Sequence, residues 1–234
     1  DNSFKINEGL RISRKLLKDI ADLGMPTGTE FLDLISPQYV SDLVCWGAIG
    51  ARTAESQVHR ELTSGLSCPM GIKNSTKGDI QIAIDAIKSA QYQHVFLGTT
   101  KKGKVAIFKT SGNDDTHIIL RGGLEPNYHA SDIENCRADL EKNEVNANIM
   151  VDFSHGNSQK NHENQKKVSA SICDQIASGN KDIIGVMIES HLKEGNQKIS
   201  ENMEYGKSIT DACVDWEETK KLLNDLAQAV KARR

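Results

Sequence analysis

Strand-like apolar runs alternate six times with segments of helical spacing, and no linker, low-complexity tract or short-period repeat interrupts them. A strand that rejoins its sheet through a helix must pair in parallel, so the alternation predicts a parallel sheet with helical crossovers. A first helix is predicted from Ile6, Leu10, Leu16, Leu17, Ile20 and Leu23, stopping at Gly24. TEFLDLI, CWGAIGAR, CPMGIKN, HVFLGTT, NIMVDFSH and DIIGVMIES read as strands, the last one buried. Helices are predicted from Ser36-Pro37 and in AESQVHRELTSGL, DIQIAIDAIKSA, SDIENCRADLEKN and QKKVSASICDQIASG. WEETKKLLNDLAQAVKARR closes the chain as a helix with cations in its last turn. The stretch 104–120 is expected to form a hairpin about Ser111-Gly112-Asn113-Asp114.

Two architectures satisfy this order. A doubly wound open sheet would gain from a G-x-G-x-x-G turn, which does not occur. A TIM-type (β/α)8 barrel places its chemistry at the carboxyl ends of several strands, and that pattern is present. The expectation is an α/β barrel with residues 1–234 as a single catalytic domain, a usual size for one.

A net charge of -3 and a pI near 6.2 give no footprint for nucleic acid or an anionic membrane. No apolar run approaches the roughly 18 residues that span a bilayer, and no signal peptide is evident. Cys45, Cys68, Cys136, Cys173 and Cys213 are scattered, never in a C-x-x-C spacing, which suits reduced thiols in the cytoplasm.

The strand ends carry Glu30 (with Asp33), Arg52, Lys73, Arg121, His155 and Glu189, and Asp211 lies in a later loop. Arg52, Lys73 and Arg121 suit a phosphorylated, carboxylated substrate, since guanidinium forks and an ammonium match such anions. In GAIGAR, Gly50 and Ala51 add backbone donors just before a predicted helix amino terminus. Each cation alone is commonly a surface or ion-pair residue; three at strand ends favour an anion site. His155, Glu189 and Asp211 form a mixed nitrogen and oxygen set suited to one Mn, Fe, Co or Zn ion more than to Ca. Taken singly, His155 reads as structural, Glu189 as a turn cap and Asp211 as a helix N-cap. Cys213 is too close to Asp211 in sequence to be an obvious fourth ligand.

GARTAESQVHRELTSGLSCPMGIKN, HIILRGGLEPNY, MVDFSHGNSQK, IIGVMIESHLKEGNQ and YGKSITDACVDWEET together resemble the type I 3-deoxy-D-arabino-heptulosonate-7-phosphate (DAHP) synthases over essentially the whole chain. The resemblance implies condensation of phosphoenolpyruvate with erythrose 4-phosphate, opening the shikimate pathway of aromatic amino-acid biosynthesis. It places the metal on His155, Glu189 and Asp211. Phosphoenolpyruvate binding falls on Gly50, Ala51, Arg52, Lys73 and Arg121, with Glu30 near by. Lys73 and His155 are the residues at the reacting centre. An aromatic amino-acid effector is implied at Leu34, Pro37, Gln38, Leu66, Ser67, Phe96 and Gly98, and Gly98, a serine in phenylalanine-sensitive forms, leans to tyrosine. Leu34 and Phe96 read equally well as barrel-helix packing.

Two family segments have no counterpart: GPCSIHD, whose cysteine is the fourth metal ligand, and KPRT, whose cations bind phosphate. The expectation is therefore an amino-terminally truncated synthase with six of eight strands, inactive alone. A dimer or tetramer is implied for the full-length form. The alternatives are the related synthase that uses arabinose 5-phosphate, and a non-catalytic fragment that keeps effector or subunit contacts.

Overall fold

A computed structural model describes Ser3–Arg234. The chain divides into two compact units: the chain up to Lys73 with Ile82–His117, and Asn74–Gln81 with Ile118–Arg234.

The first unit holds α1 (Ile6–Asp22), β1 (Gly28–Glu30), α2 (Pro37–Val40), β2 (Trp46–Ile49), α3 (Gln57–Gly65), β3 (Met70–Lys73), α4 (Gln81–Gln91, entering from the other unit), β4 (Val95–Thr99) and β5 (Val105–Lys109). β1, β2 and β3 pair in parallel, with Gly28 opposite Trp46 and Gly47 opposite Met70. Ile49, Met70 and Ile72 are fully buried, each worth about 1.5–3 kcal/mol of apolar transfer. Gly47 has to be glycine, because a Cβ there would lie 2.4 Å from Met70 Sδ and 2.5 Å from the Phe31 ring. The amphipathic α1 forms as expected, yet none of its residues is buried. Arg14 ties it down through a fork to Asp42 at 2.7 and 2.8 Å. The guanidinium pulls the Asp42 carboxyl down to about 2.

Three boundaries differ from expectation here. TEFLDLI is strand only as far as Glu30. Asp33 Oδ1 accepts the N–H groups of Ile35 and Ser36, both at 2.7 Å, and this local turn replaces ladder bonds. The hairpin lies at 95–109, not 104–120. β4 and β5 pair antiparallel, Phe96 opposite Phe108, around a turn in which Gly103 takes φ 73°. Ser111–Asp115 is instead the connection to the next strand. There Asn113 Nδ2 donates to the carbonyls of Thr63, Leu66 and Cys68 at 3.1–3.2 Å. Last, a run of turns separates Gly50 and Ala51 from α3, whose first residue is Gln57.

The second unit holds most of β6 (Thr116–Leu120), then α5 (Ala130–Lys142), β7 (Ile149–Asp152), α6 (Gln165–Ala177), β8 (Ile183–Met187), β9 (Lys193–Asn196), β10 (Lys207–Ser208) and α7 (Trp216–Arg233). β6, β7 and β8 pair in parallel, with Ile118 opposite Ile149 and Ile149 opposite Ile183. β6 is buried throughout and β7 at all but Met150. β8, read as a buried strand, is not one: Ile184 is 53 % exposed, consistent with a strand paired on one side only. α7 is N-capped by Asp215, whose side chain accepts the Glu218 N–H at 2.7 Å, with Glu217 and Glu218 in the first turn and Lys231 and Arg233 in the last. Both units are successive strand-helix repeats of the TIM-type α/β class.

Candidate active site

In the first unit, the residues read as anion ligands sit at the carboxyl ends of its parallel strands. Lys73 ends β3 and is buried, 9 % exposed. Arg52 follows β2 and is exposed. Glu30 ends β1, and its carboxylate lies against the Cα of Gly50: a Cβ there would come within 2.0 Å of Glu30 Oε1. Since Gln57 rather than Ala51 opens α3, any anion binding by Gly50 and Ala51 would come from the turn itself and not from a helix dipole.

The second unit brings the other set together. His155 follows β7 with φ 53°, a left-handed backbone that costs a side-chain-bearing residue on the order of 1 kcal/mol. Its Nδ1 lies 2.8 Å from Asp152, which is 0 % exposed. That leaves Nε2 directed at Glu189, 3.9 Å away, and Asp211, 3.7 Å away. Donor atoms of His155, Glu189 and Asp211 all lie within 4.8 Å of one another. Burial pushes the Glu189 carboxyl up; the neighbouring Asp211 and Asp152 carboxylates add to this, and His155 and Ser154 oppose it. Glu189 Oε2 is buried with no hydrogen-bond partner among the described residues, so it caps no turn. Nor does Asp211 cap α7, since Asp215 does.

Two bland readings therefore fall, and the set fits a divalent cation. It offers one imidazole nitrogen and two carboxylates, an orphaned buried oxygen, and the Asp152 carboxylate 2.8 Å behind the histidine. Asp152 sits in the quoted run MVDFSH but went unread. A carboxylate three residues before a ligating histidine was the signal that could have found it.

Arg121, 9 % exposed, follows β6 in this unit. Three asparagines that no periodicity marks hold its loop. The Arg121 N–H donates to Asn74 Oδ1 at 2.8 Å, the Gly122 N–H to Asn127 Oδ1 at 2.7 Å, and the Asn127 N–H to Asn157 Oδ1 at 2.7 Å. Asn157 Nδ2 in turn donates to the carbonyls of Leu120 and Asp152 at 3.1 and 2.8 Å. Backbone packs directly on backbone here: a Cβ on Gly123 would lie 2.4 Å from Gly78 Cα, and one on Gly156 2.6 Å from Gly123 N.

A separate cavity of about 430 Å³ lies within the first unit. Leu34, Pro37, Gln38, Leu66, Phe96 and Gly98 line it, six of the seven residues expected there. Ser67 is not among its lining, and the β5 residue Phe108 is. The Phe96 and Phe108 rings stack at 6.0 Å and 13°. A Cβ on Gly98 would come within 2.8 Å of the Phe108 ring.

The profile of the DAHP synthetase I family matches residues 1–224. The chain belongs to that family. Among DAHP synthases it is 61% identical over 236 residues to the Phe-sensitive phospho-2-dehydro-3-deoxyheptonate aldolase of Escherichia coli (strain K12), covering all of this chain and 67% of that one. It is 52% identical over 235 residues to the Trp-sensitive enzyme of Enterobacter agglomerans, covering all of this chain and 68% of that one. The solved aldolase of Francisella tularensis SCHU S4 matches with a TM-score of 0.97 and 56% identity, covering 100% of this chain and 69% of that one. A Thermotoga maritima DAHP synthase, at 19% identity and a TM-score of 0.65, covering 96% of this chain and 56% of that one, shares the fold. The chain thus spans about two thirds of the length of its curated relatives. DAHP synthases in general carry a divalent metal, for which His155, Glu189 and Asp211 are candidate ligands. No helix among the described residues is long and apolar enough to cross a membrane.

Proposed function

We propose that this protein condenses phosphoenolpyruvate with D-erythrose 4-phosphate to give 3-deoxy-D-arabino-heptulosonate 7-phosphate and inorganic phosphate. The observation that carries the reading is the convergence of His155, Glu189 and Asp211 behind which Asp152 sits. A divalent ion held by those three would supply Lewis acidity for carbonyl polarisation. Mn, Fe, Co and Zn all suit the donor set. Arg52, Lys73 and Arg121, with the backbone of Gly50 and Ala51, hold the carboxylate and phosphate of phosphoenolpyruvate and offset charge as it reacts. Glu30, packed on Gly50, sets the shape of that turn. The enol-ether carbon C3 attacks the aldehyde carbon, positive charge develops at C2, water adds there, and phosphate leaves with its C–O bond broken.

An aromatic amino acid occupies the cavity of the first unit and inhibits. The lean to tyrosine rests on the family resemblance, in which Gly98 stands where phenylalanine-sensitive forms carry serine. By family the protein is cytoplasmic and a dimer or tetramer. The 234-residue chain spans two thirds of the relatives' length and is expected to need further residues for robust turnover.

The test is an assay of the longest chain its gene encodes, beside the 234-residue chain, with erythrose 4-phosphate and with arabinose 5-phosphate. Metal-dependent product from the tetrose alone supports the reading. Product from the pentose alone assigns the related synthase. Tyrosine binding by calorimetry with no turnover from either chain assigns a non-catalytic role.

A further inference from the structure

Gln165 opens α6 and is 0 % exposed, an uncommon place for a primary amide. Its Nε2 donates to the Glu189 carbonyl at 3.0 Å, and its Oε1 accepts the Glu189 N–H at 2.9 Å. Glu189 lies two residues beyond β8, where the parallel ladder has ended. The amide offers it the donor and acceptor pair that the backbone of a neighbouring strand would offer. The Glu189 carbonyl also accepts the Val214 N–H at 3.0 Å. Both backbone polar groups of Glu189 are thus held, which fixes the position and direction from which its side chain leaves the backbone. That matters because Glu189 Oε2 has no hydrogen-bond partner among the described residues to keep it buried and 3.9 Å from His155 Nε2. A buried carboxylate oxygen without a partner gains by moving toward water, and a fixed backbone limits how far the side chain can carry it from His155.

We propose that Gln165 is a positioning residue of the metal centre, fixing Glu189 through its backbone so that the carboxylate stays aimed at the ion. The inference rests on the metal reading above. It predicts that Gln165 governs metal affinity beyond any effect on folding.

The experiment titrates Co2+ alone into the longest chain its gene encodes and its variants, reading affinity by competition with a chelating dye and ligand geometry by the Co2+ visible spectrum. Gln165→Glu keeps the volume and the accepted bond but loses the donated one. Gln165→Met loses both. Each is expected to weaken Co2+ binding by about 10–100-fold and to alter the spectrum, as disturbed outer-shell partners do. Ile172→Val, a core change in the same helix, is expected to lower the unfolding midpoint and leave Co2+ binding within about twofold.

Wild-type chain that binds no Co2+, or His155→Ala that binds it equally well, would sink the metal reading and this inference with it. If His155→Ala loses Co2+ while both Gln165 variants bind as wild type, the inference alone fails. Affinity that falls equally in Ile172→Val, or failure of both Gln165 variants to fold, would assign Gln165 to stability only and also overturn it.

Discussion

The His155–Glu189–Asp211 cluster of the second unit and the cavity of the first stand on strands of opposite character. β7, which leads to His155, is a parallel strand with only Met150 less than fully buried, and its following loop is locked to the loop after β6 by Asn157 and Gly156. β4 and β5 form a lone antiparallel ladder. Its inner face, Phe96 and Phe108, lines the cavity, while Leu97 and Ile107, paired on its outer face, are each 73 % exposed. Donor atoms that must meet within a few ångströms are carried by backbone that has nowhere to go. The cavity is lined by a ribbon packed on one side only. Position is enforced where chemistry needs it and relaxed where recognition does.

Substitutions can break that contrast. The largest effect is expected from His155→Ala, which removes the only nitrogen donor of the cluster. Mn2+ affinity by calorimetry should fall by at least about 100-fold, beyond the 10–100-fold of an outer-shell change, with amino-acid binding in the cavity unchanged. Loss of both would mean the two regions are not separable.

Gly123→Ala comes next. Its Cβ would meet Gly78 backbone at 2.4 Å, and backbone cannot give as a side chain can. Urea unfolding should show a loss of about 2–3 kcal/mol; a neutral result would show these loops to be softer than drawn. Gly98→Ser probes the other side, where the obstacle is only the rim of the Phe108 ring at 2.8 Å. Stability should change by less than about 0.5 kcal/mol, while the ratio of tyrosine to phenylalanine affinity drops several-fold.

The smallest shift concerns pH. Burial raises the Glu189 carboxyl, so the folded, metal-free chain holds its proton at pH values where the unfolded chain has lost it. Between the ordinary carboxylate value and the raised one, stability therefore falls as pH rises. Metal needs the ionised form, so Mn2+ affinity climbs over the same window. Glu189→Gln should remove this slope in thermal unfolding of the metal-free chain.

Much of this was legible because strand and helix periods differ and because barrel chemistry gathers at strand ends. Lys73 ends β3, and His155 and Glu189 lie just beyond β7 and β8, close to where the strand pattern put them. The rest was hidden for identifiable reasons. Asn113 carries the turn-like sequence SGND, yet its amide binds three carbonyls from residues 63–68, so the predicted hairpin turn became a rivet. The true turn, TKKGK, signals weakly, with Gly103 alone to mark it. Asn74, Asn157 and Gln165 bind backbone of segments distant in sequence, and no local pattern encodes such partners. Asp33 ended the first strand early by an ordinary side-chain turn, a competition that apolar patterning does not register.

The one-sided packing of the β4–β5 ribbon carries a consequence in time. A two-stranded ladder whose outer face meets only solvent opens far more often than β6 or β7, so its amide protons should exchange with the solvent first. A ligand seated against Phe96 and Phe108 holds that ribbon closed by mass action, so filling the cavity should slow the exchange clock of the hairpin before any other part of the molecule registers it.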